Sequence, residues 1–172
     1  MKEIETTRLI LRHITIDDAD DIFEYSQNQN VGPAAGWSPH TSIEETRTIM
    51  EQLFIGQDNI FGIVLKETKK LIGTIGLIKD PRRDNPEALM LGYAIGEPYW
   101  GKGIMTEAAK AVINAAFNEI PVNVISCSCY TTNARSRRVI EKCGFEYEGC
   151  IRQAEKRFDG KIMDIQCFSI IR

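Results

Sequence analysis

Two glycines, Gly101 and Gly103, sit in the run Trp100-Gly101-Lys102-Gly103-Ile104-Met105-Thr106, between a strand-like segment and the start of an amphipathic helix. Neither carries a Cβ, so the backbone is open to close approach by a large anion. The first turn of the following helix has N–H groups without intrahelical acceptors and a partial positive charge. The join therefore suits a pyrophosphate held by main-chain amides, with no need for lysine or arginine. A Gly-rich turn before a helix also serves simple tight packing, and the local pattern leaves both readings open. Two nucleotide-binding frames do not fit. A P-loop ends in Gly-Lys-Ser/Thr, whereas Gly103 is followed by Ile104 and Met105. A Rossmann fingerprint wants a third small residue where Thr106 stands, within an early βαβ unit.

The elements that must position this join are legible from periodicity. Met105, Ala108, Ala109, Val112, Ile113, Ala116 and Phe117 recur at helical spacing over three turns. Upstream, residues 8–14 predict a strand, and Thr15, Asp17 and Asp18 open a short helix with Ala19, Ile22 and Phe23 on one side. Residues 27–40 read as a polar loop. Ser42 and Glu45 have the form of a capping box, leading a helix whose apolar face is Ile43, Ile49, Met50 and Leu53. Residues 60–67 and 71–78 predict a hairpin turning at 68–70, followed by a loop at 80–86, a strand at 88–95 and a Gly-rich turn at 96–103. Downstream come a strand at 122–130, a helix at 133–143 ended by Gly144, and strands at 145–157 and 161–171 around Asp159-Gly160. The order predicts one domain, 1–172, of α+β (mixed α/β) class: a largely antiparallel twisted sheet flanked by helices, with a central β-α-β-α unit.

Composition narrows the function classes. With 172 residues, 43% hydrophobic and 26% charged, the chain can bury a real core. Twenty-one basic against 24 acidic side chains leave a formal charge of -3, which argues against nucleic acid or an anionic membrane as partner. No apolar run reaches the roughly 20 residues of a membrane span. Cys127, Cys129, Cys143, Cys150 and Cys167 form an odd set without a preceding signal peptide, which points to a reducing cytoplasm. Cys127 and Cys129 share one strand face and read as core. With only His13 and His40 besides, no convincing zinc set exists, and no metal is expected.

The run from Gly92 to Ala108, with Tyr99-Trp100-Gly101-Lys102-Gly103 and Met105-Thr106-Glu107-Ala108, resembles the acetyl-CoA motif of the GNAT superfamily, in the version carried by ribosomal-protein N-terminal (alanine/serine) acetyltransferases. The opening Thr7 to Arg12, Asn133-Ala134-Arg135-Ser136, Glu141 to Phe145, Glu148-Gly149-Cys150, Gln153-Ala154-Glu155 and the closing Asp164 to Arg172 fit the same subfamily in order. The resemblance implies a GNAT-like fold and an acetyl-CoA-dependent transfer to a primary amine by direct attack. The amides of Gly101, Gly103, Met105 and Thr106, with Trp100, Lys102 and Ile104 beside them, would hold the pyrophosphate. The backbone near Tyr93, Ala94 and Ile95 would pair with the pantetheine arm, and Asn133 would bond the same arm while capping its helix.

The chain departs from the wider superfamily at Trp100, where Gln or Arg is frequent, and at Ile140, where a tyrosine often acts as general acid. Ser136, three residues after Asn133 on the same helical face, would replace that acid and touch the cofactor's sulfur region. The resemblance pairs it with Glu155 as base, acting directly or through water, and makes the Tyr93 backbone N–H a candidate for the oxyanion. The plain alternatives for Ser136 and Glu155 are a serine solvated on a helix and a glutamate on an exposed strand face. Trp37 and His40 are candidates for the amine entrance, although a surface-loop role fits His40 as well. Arg135, Arg137 and Arg138 fit either a cofactor phosphate or a solvated helix face. The acceptor implied is a protein N-terminus, as on a ribosomal protein; a small amine and a non-catalytic acyl-CoA sensor are the alternatives. The chain would act as a monomer or a homodimer.

Overall fold

In the computed structural model, which describes residues 1–172, the chain forms eight strands and five helices. They are β1 (Ile4–Glu5), β2 (Leu9–Arg12), α1 (Ala19–Ser26), α2 (Gly32–Ala35), α3 (Ile43–Leu53), β3 (Ile60–Leu65), β4 (Leu71–Lys79) and β5 (Ala88–Ile95). After these come α4 (Ile104–Glu119), β6 (Val124–Tyr130), α5 (Ala134–Lys142), β7 (Glu146–Lys156) and β8 (Ile162–Ile171). The strands make one sheet in the order β1-β2-β3-β4-β5-β6-β8-β7, antiparallel throughout except between β5 and β6. The expected mixed fold is present.

Strand β4 shows why helices must lie on both faces. Its residues are buried without a break from Leu71 to Leu77, as a strand covered on two sides requires. Neighbouring residues divide between two apolar clusters: Ile63 and Ile72 join one, Val64 and Leu71 the other. Because successive side chains alternate across a strand, the clusters occupy opposite faces. The larger takes the apolar stripe of α4 with Ile140 of α5, and the smaller takes Ile22 and Tyr25 of α1 with Met50 of α3. No helix is long and apolar enough to cross a membrane.

Several local readings are corrected. Residues 27–40 are not all loop, because Pro33 starts the short helix α2 near its first position, where a missing N–H costs nothing. The Gly-rich turn 96–103 contains a 3₁₀ turn at Glu97–Tyr99. The Ser42 hydroxyl accepts from the Glu45 N–H at 3.1 Å, but the Glu45 carboxylate closes on Thr41 N instead of on the cap residue. Leu53, assigned to the buried face of its helix, is 55% exposed, since α3 ends there and Phe54 and Ile55 pack in its place. Strand β1 was too short to show a period.

Tyr25 is buried and its hydroxyl donates to Thr74 at 3.2 Å. Burial pushes its pKa up to about 12. Below pH 10 the group is protonated in both folded and unfolded chains, so it contributes no pH dependence. Above that, the unfolded chain ionises first and stability falls, by about 2–3 kcal/mol on approaching pH 12. Urea unfolding across this range is expected to show that decline, and Tyr25→Phe is expected to make it shallower.

Candidate active site

β5 and β6 run side by side only from Ala88↔Val124 to Leu91↔Cys127. Beyond that point β5 stays with β4 as far as Ile95↔Gly73, and β6 stays with β8 as far as Tyr130↔Ile165. The two strands therefore part, and residues 92–95 have no strand on the β6 side. Main-chain groups left this way accept an extended amide chain as they would another strand. The Trp100 indole N–H takes one of them, the Ile95 carbonyl, at 2.9 Å. The opening is a cleft of ≈ 750 Å³.

At one end of the cleft the chain turns through Gly101 and Gly103, both at φ +74°, and enters α4. This left-handed conformation is costly for any residue with a Cβ. Gly103 is the N-cap of α4 and offers no side chain, so no side-chain group covers the first-turn N–H donors. Arg8 fixes the turn from outside. Its Nη1 donates to the Lys102 carbonyl at 3.0 Å and its Nε to Glu107 at 2.7 Å. Burial works to raise the Glu107 pKa, but the Thr6 hydroxyl and Arg8 hold the carboxyl below its usual range. Arg135, Arg138 and Lys142 line the same cleft, and the Arg135 guanidinium stacks 4.0 Å from the Trp100 ring. Amide donors, an exposed helix N-terminus and three cations make this end fit a polyanion.

Midway along, the Tyr93 hydroxyl lies 2.8 Å from Ser136 Oγ. Burial and nearby Cys127 push the tyrosine pKa well above 10, with the Ser136 hydrogen bond opposing, so the phenol stays neutral. The sequence points only to the backbone of Tyr93. Its side chain carries this contact, and a tyrosine projecting from a strand has no local signature. Asn133 caps α5 by accepting from the Ser136 N–H at 3.1 Å, while its amide nitrogen donates to the Ala34 carbonyl of α2 at 2.9 Å. Cys127 and Cys129 also line the cleft. Burial raises both thiols, Cys129 to about 11, so neither supplies a thiolate near neutral pH.

Glu155 projects from β7 into the opposite end. Its Oε2 accepts from the Tyr130 hydroxyl at 3.1 Å and its Oε1 lies 3.2 Å from Arg82. A bulge aims it: β7 and β8 shift register between Ile151↔Ile165 and Glu155↔Met163, and Gln153 within the shift has φ +50°. Asp164 caps that strained residue, accepting its N–H at 2.7 Å. Ser136 and Glu155 thus line one cleft from different elements. Glu155 is the sole carboxylate among the lining residues, which include no histidine.

Trp37 and His40 are not brought to the cleft. His40 is 8% exposed, with Nδ1 2.8 Å from Thr46 Oγ1 and its ring against Trp37, so the surface-loop reading does not hold. Burial lowers its pKa. From that segment the cleft takes Val31, Ala34 and Ala35 instead. Nowhere do three or more His, Cys, Asp or Glu side chains converge as a metal ion requires.

Residues 8–146 match the model of the acetyltransferase (GNAT) domain, and the chain belongs to that family of N-acetyltransferases, enzymes that use acetyl-CoA. It is 30% identical to p20 of Bacillus licheniformis, an uncharacterised N-acetyltransferase, over all of this chain and 97% of that one. It is 28% identical to the ribosomal protein uS5-alanine N-acetyltransferase of Escherichia coli, covering 85% of this chain and 79% of that one. An acetyltransferase (GNAT family) from Bacillus anthracis superposes with a TM-score of 0.87 at 24% identity, covering 98% of both chains.

Replacing Gly103 with valine forces a β-branched residue into the left-handed region, at a cost of about 1–2 kcal/mol. Calorimetric titration with acetyl-CoA is expected to show affinity reduced by about five- to thirtyfold, because the loop must return to that strained form to bind. An unchanged dissociation constant would place the pyrophosphate elsewhere.

Proposed function

We propose that this N-acetyltransferase acts on the N-terminal amine of a protein, of the ribosomal-protein type, by direct attack on the thioester. The observation that carries the mechanism is the isolation of Glu155 as the one carboxylate facing a cleft whose other end suits a diphosphate. The similarity to the E. coli alanine acetyltransferase supports the acceptor. In this reading the loop amides from Gly101 to Thr106 hold the pyrophosphate, Arg135 guards its rim from Trp100, and residues 93–95 pair with the pantetheine arm. Asn133 exchanges its bond to Ala34 for one to that arm.

Glu155 takes a proton from the ammonium, directly or through water, and releases it to solvent. The neutral nitrogen bonds to the thioester carbon while the Tyr93 N–H faces the developing oxyanion. As the carbon–sulfur bond breaks, Ser136 Oγ, held by the Tyr93 hydroxyl 2.8 Å away, gives a proton to the leaving sulfur and regains one from solvent. Glu155, emptied to solvent after the first transfer, takes the second amine proton as the adduct collapses, so of the two protons lost one is matched on the thiol and one ends in solvent. No acyl-enzyme is needed, in keeping with the protonated cysteines.

One observation favours a smaller acceptor. α2 is drawn across the cleft by Arg157, which donates to the Pro33 carbonyl at 3.0 Å, a tie that remains when Asn133 turns to the arm. Such a roof admits a compact amine more readily than a chain end. Incubation with acetyl-CoA and lysate, read by mass spectrometry, separates the two readings: new N-terminal acetyl groups support the first, and acetylated small amines alone replace it. On whichever acceptor turns over, Glu155→Gln is expected to lower kcat by about 10²–10⁴, and Ser136→Ala is expected to lower it less, because water can donate in its place. Wild-type kcat in both variants would remove the assignment.

A further inference from the structure

We propose that Arg82 is a positioning residue for acetyl transfer, its guanidinium set against Glu155 by a loop that the buried carboxylate of Asp80 anchors. The proposal rests on Glu155 being the base.

Arg82 lies in the connection between β4 and β5, far from Glu155 in sequence. Asp80, 2% exposed, organises that connection. Its carboxylate accepts from Ser126 Oγ of β6 at 2.6 Å and from the Arg82 backbone N–H at 2.8 Å, and it pairs with Arg83 Nε at 3.2 Å. Arg83 reaches on to Glu148 of β7, which accepts from Ser169 Oγ of β8 at 2.8 Å. The base of the loop is thereby tied to three strands, and Arg82 is left facing the cleft with Nη2 3.2 Å from Glu155 Oε1.

The carboxylate is held at both oxygens: Arg82 at Oε1 and the Tyr130 hydroxyl at Oε2. Neither holder competes for the amine's proton. A guanidinium has no acceptor, and the tyrosine, pushed up to about 12 by burial and by Glu155 itself, remains a donor. Each carboxylate oxygen keeps a lone pair for the ammonium. Without the arginine, a glutamate 46% exposed keeps only the Tyr130 hydroxyl and swings about that single contact. An ion pair this open adds little to folding, so its effect belongs to orientation, where a displacement of an ångström costs up to about a hundredfold in rate.

The test follows thiol release from acetyl-CoA with synthetic peptides beginning in alanine or serine and with a panel of small primary amines. Arg82→Ala is expected to lower kcat by about ten- to a hundredfold, leaving the KM for acetyl-CoA and the thermal midpoint near wild type. Arg82→Lys should restore most of the rate. In a Glu155→Gln background, Arg82→Ala should change nothing further, because its partner is already gone. A full loss persisting in that background would mean a structural role and overturn the proposal. Wild-type kcat in Arg82→Ala beside a crippled Glu155→Gln would also overturn it while leaving the base in place. An unimpaired Glu155→Gln would remove base and positioning together. If no acceptor in the panel turns over, crystal structures of wild type and Arg82→Ala decide: a displaced Glu155 carboxylate supports the proposal, and an unmoved one refutes it.

Discussion

A sheet is held together by matching each strand's amides to the next, and between β5 and β6 this matching stops after four residues on each strand. The sheet tolerates the break because each strand keeps its other neighbour, β4 on one side and β8 on the other, well past the point of separation. Unmatched main-chain groups away from water are expensive, so the gap must stay wet or be filled by a chain offering the same pattern of donors and acceptors. An extended amide-containing chain would meet that requirement. The α4 N-terminus lies beyond the gap, and residues of β6, α5 and β7 line the rest of the cleft.

Much of this was legible because it is local. The stripe from Met105 to Phe117, the glycines at 101 and 103, and the Asn133 to Ser136 cap each lie within a few residues, where spacing translates directly into geometry. What sequence spacing does not carry is long-range. The contacts of Glu155 come from Arg82 and Tyr130, and that of Ser136 comes from Tyr93, each brought together only by sheet order. Trp37 and His40 suggest a site in the sequence only because they are aromatic and titratable residues in a Gly- and Pro-bearing segment. There they fill space against Thr46 and one another, and three small apolar residues of the same segment face the cleft.

The ionisable groups along the cleft divide by environment. Tyr93, Cys127 and Cys129 are enclosed by apolar neighbours and kept neutral, while Arg135, Arg138 and Lys142 stand at the rim. A single carboxylate faces the interior. One end therefore carries positive charge, the middle holds neutral hydroxyl and thiol groups, and the far end holds a carboxylate. The tie from Thr6 and Arg8 to Glu107 shows the same economy, since one N-terminal turn fixes the loop and neutralises its acidic neighbour.

The kink in β7 has a second effect. β7 is the last strand of the sheet, eleven residues long, with Tyr147 and Ile151 among its exposed side chains, and an unpaired strand of that kind invites another to lie along it. Two irregularities, at Gly149 and around Gln153, break its outer row of amides into short, misaligned stretches. The distortion that turns Glu155 inward also makes this border a poor template for fibril-like stacking, so one irregularity both aims a carboxylate at the cleft and blunts an edge strand.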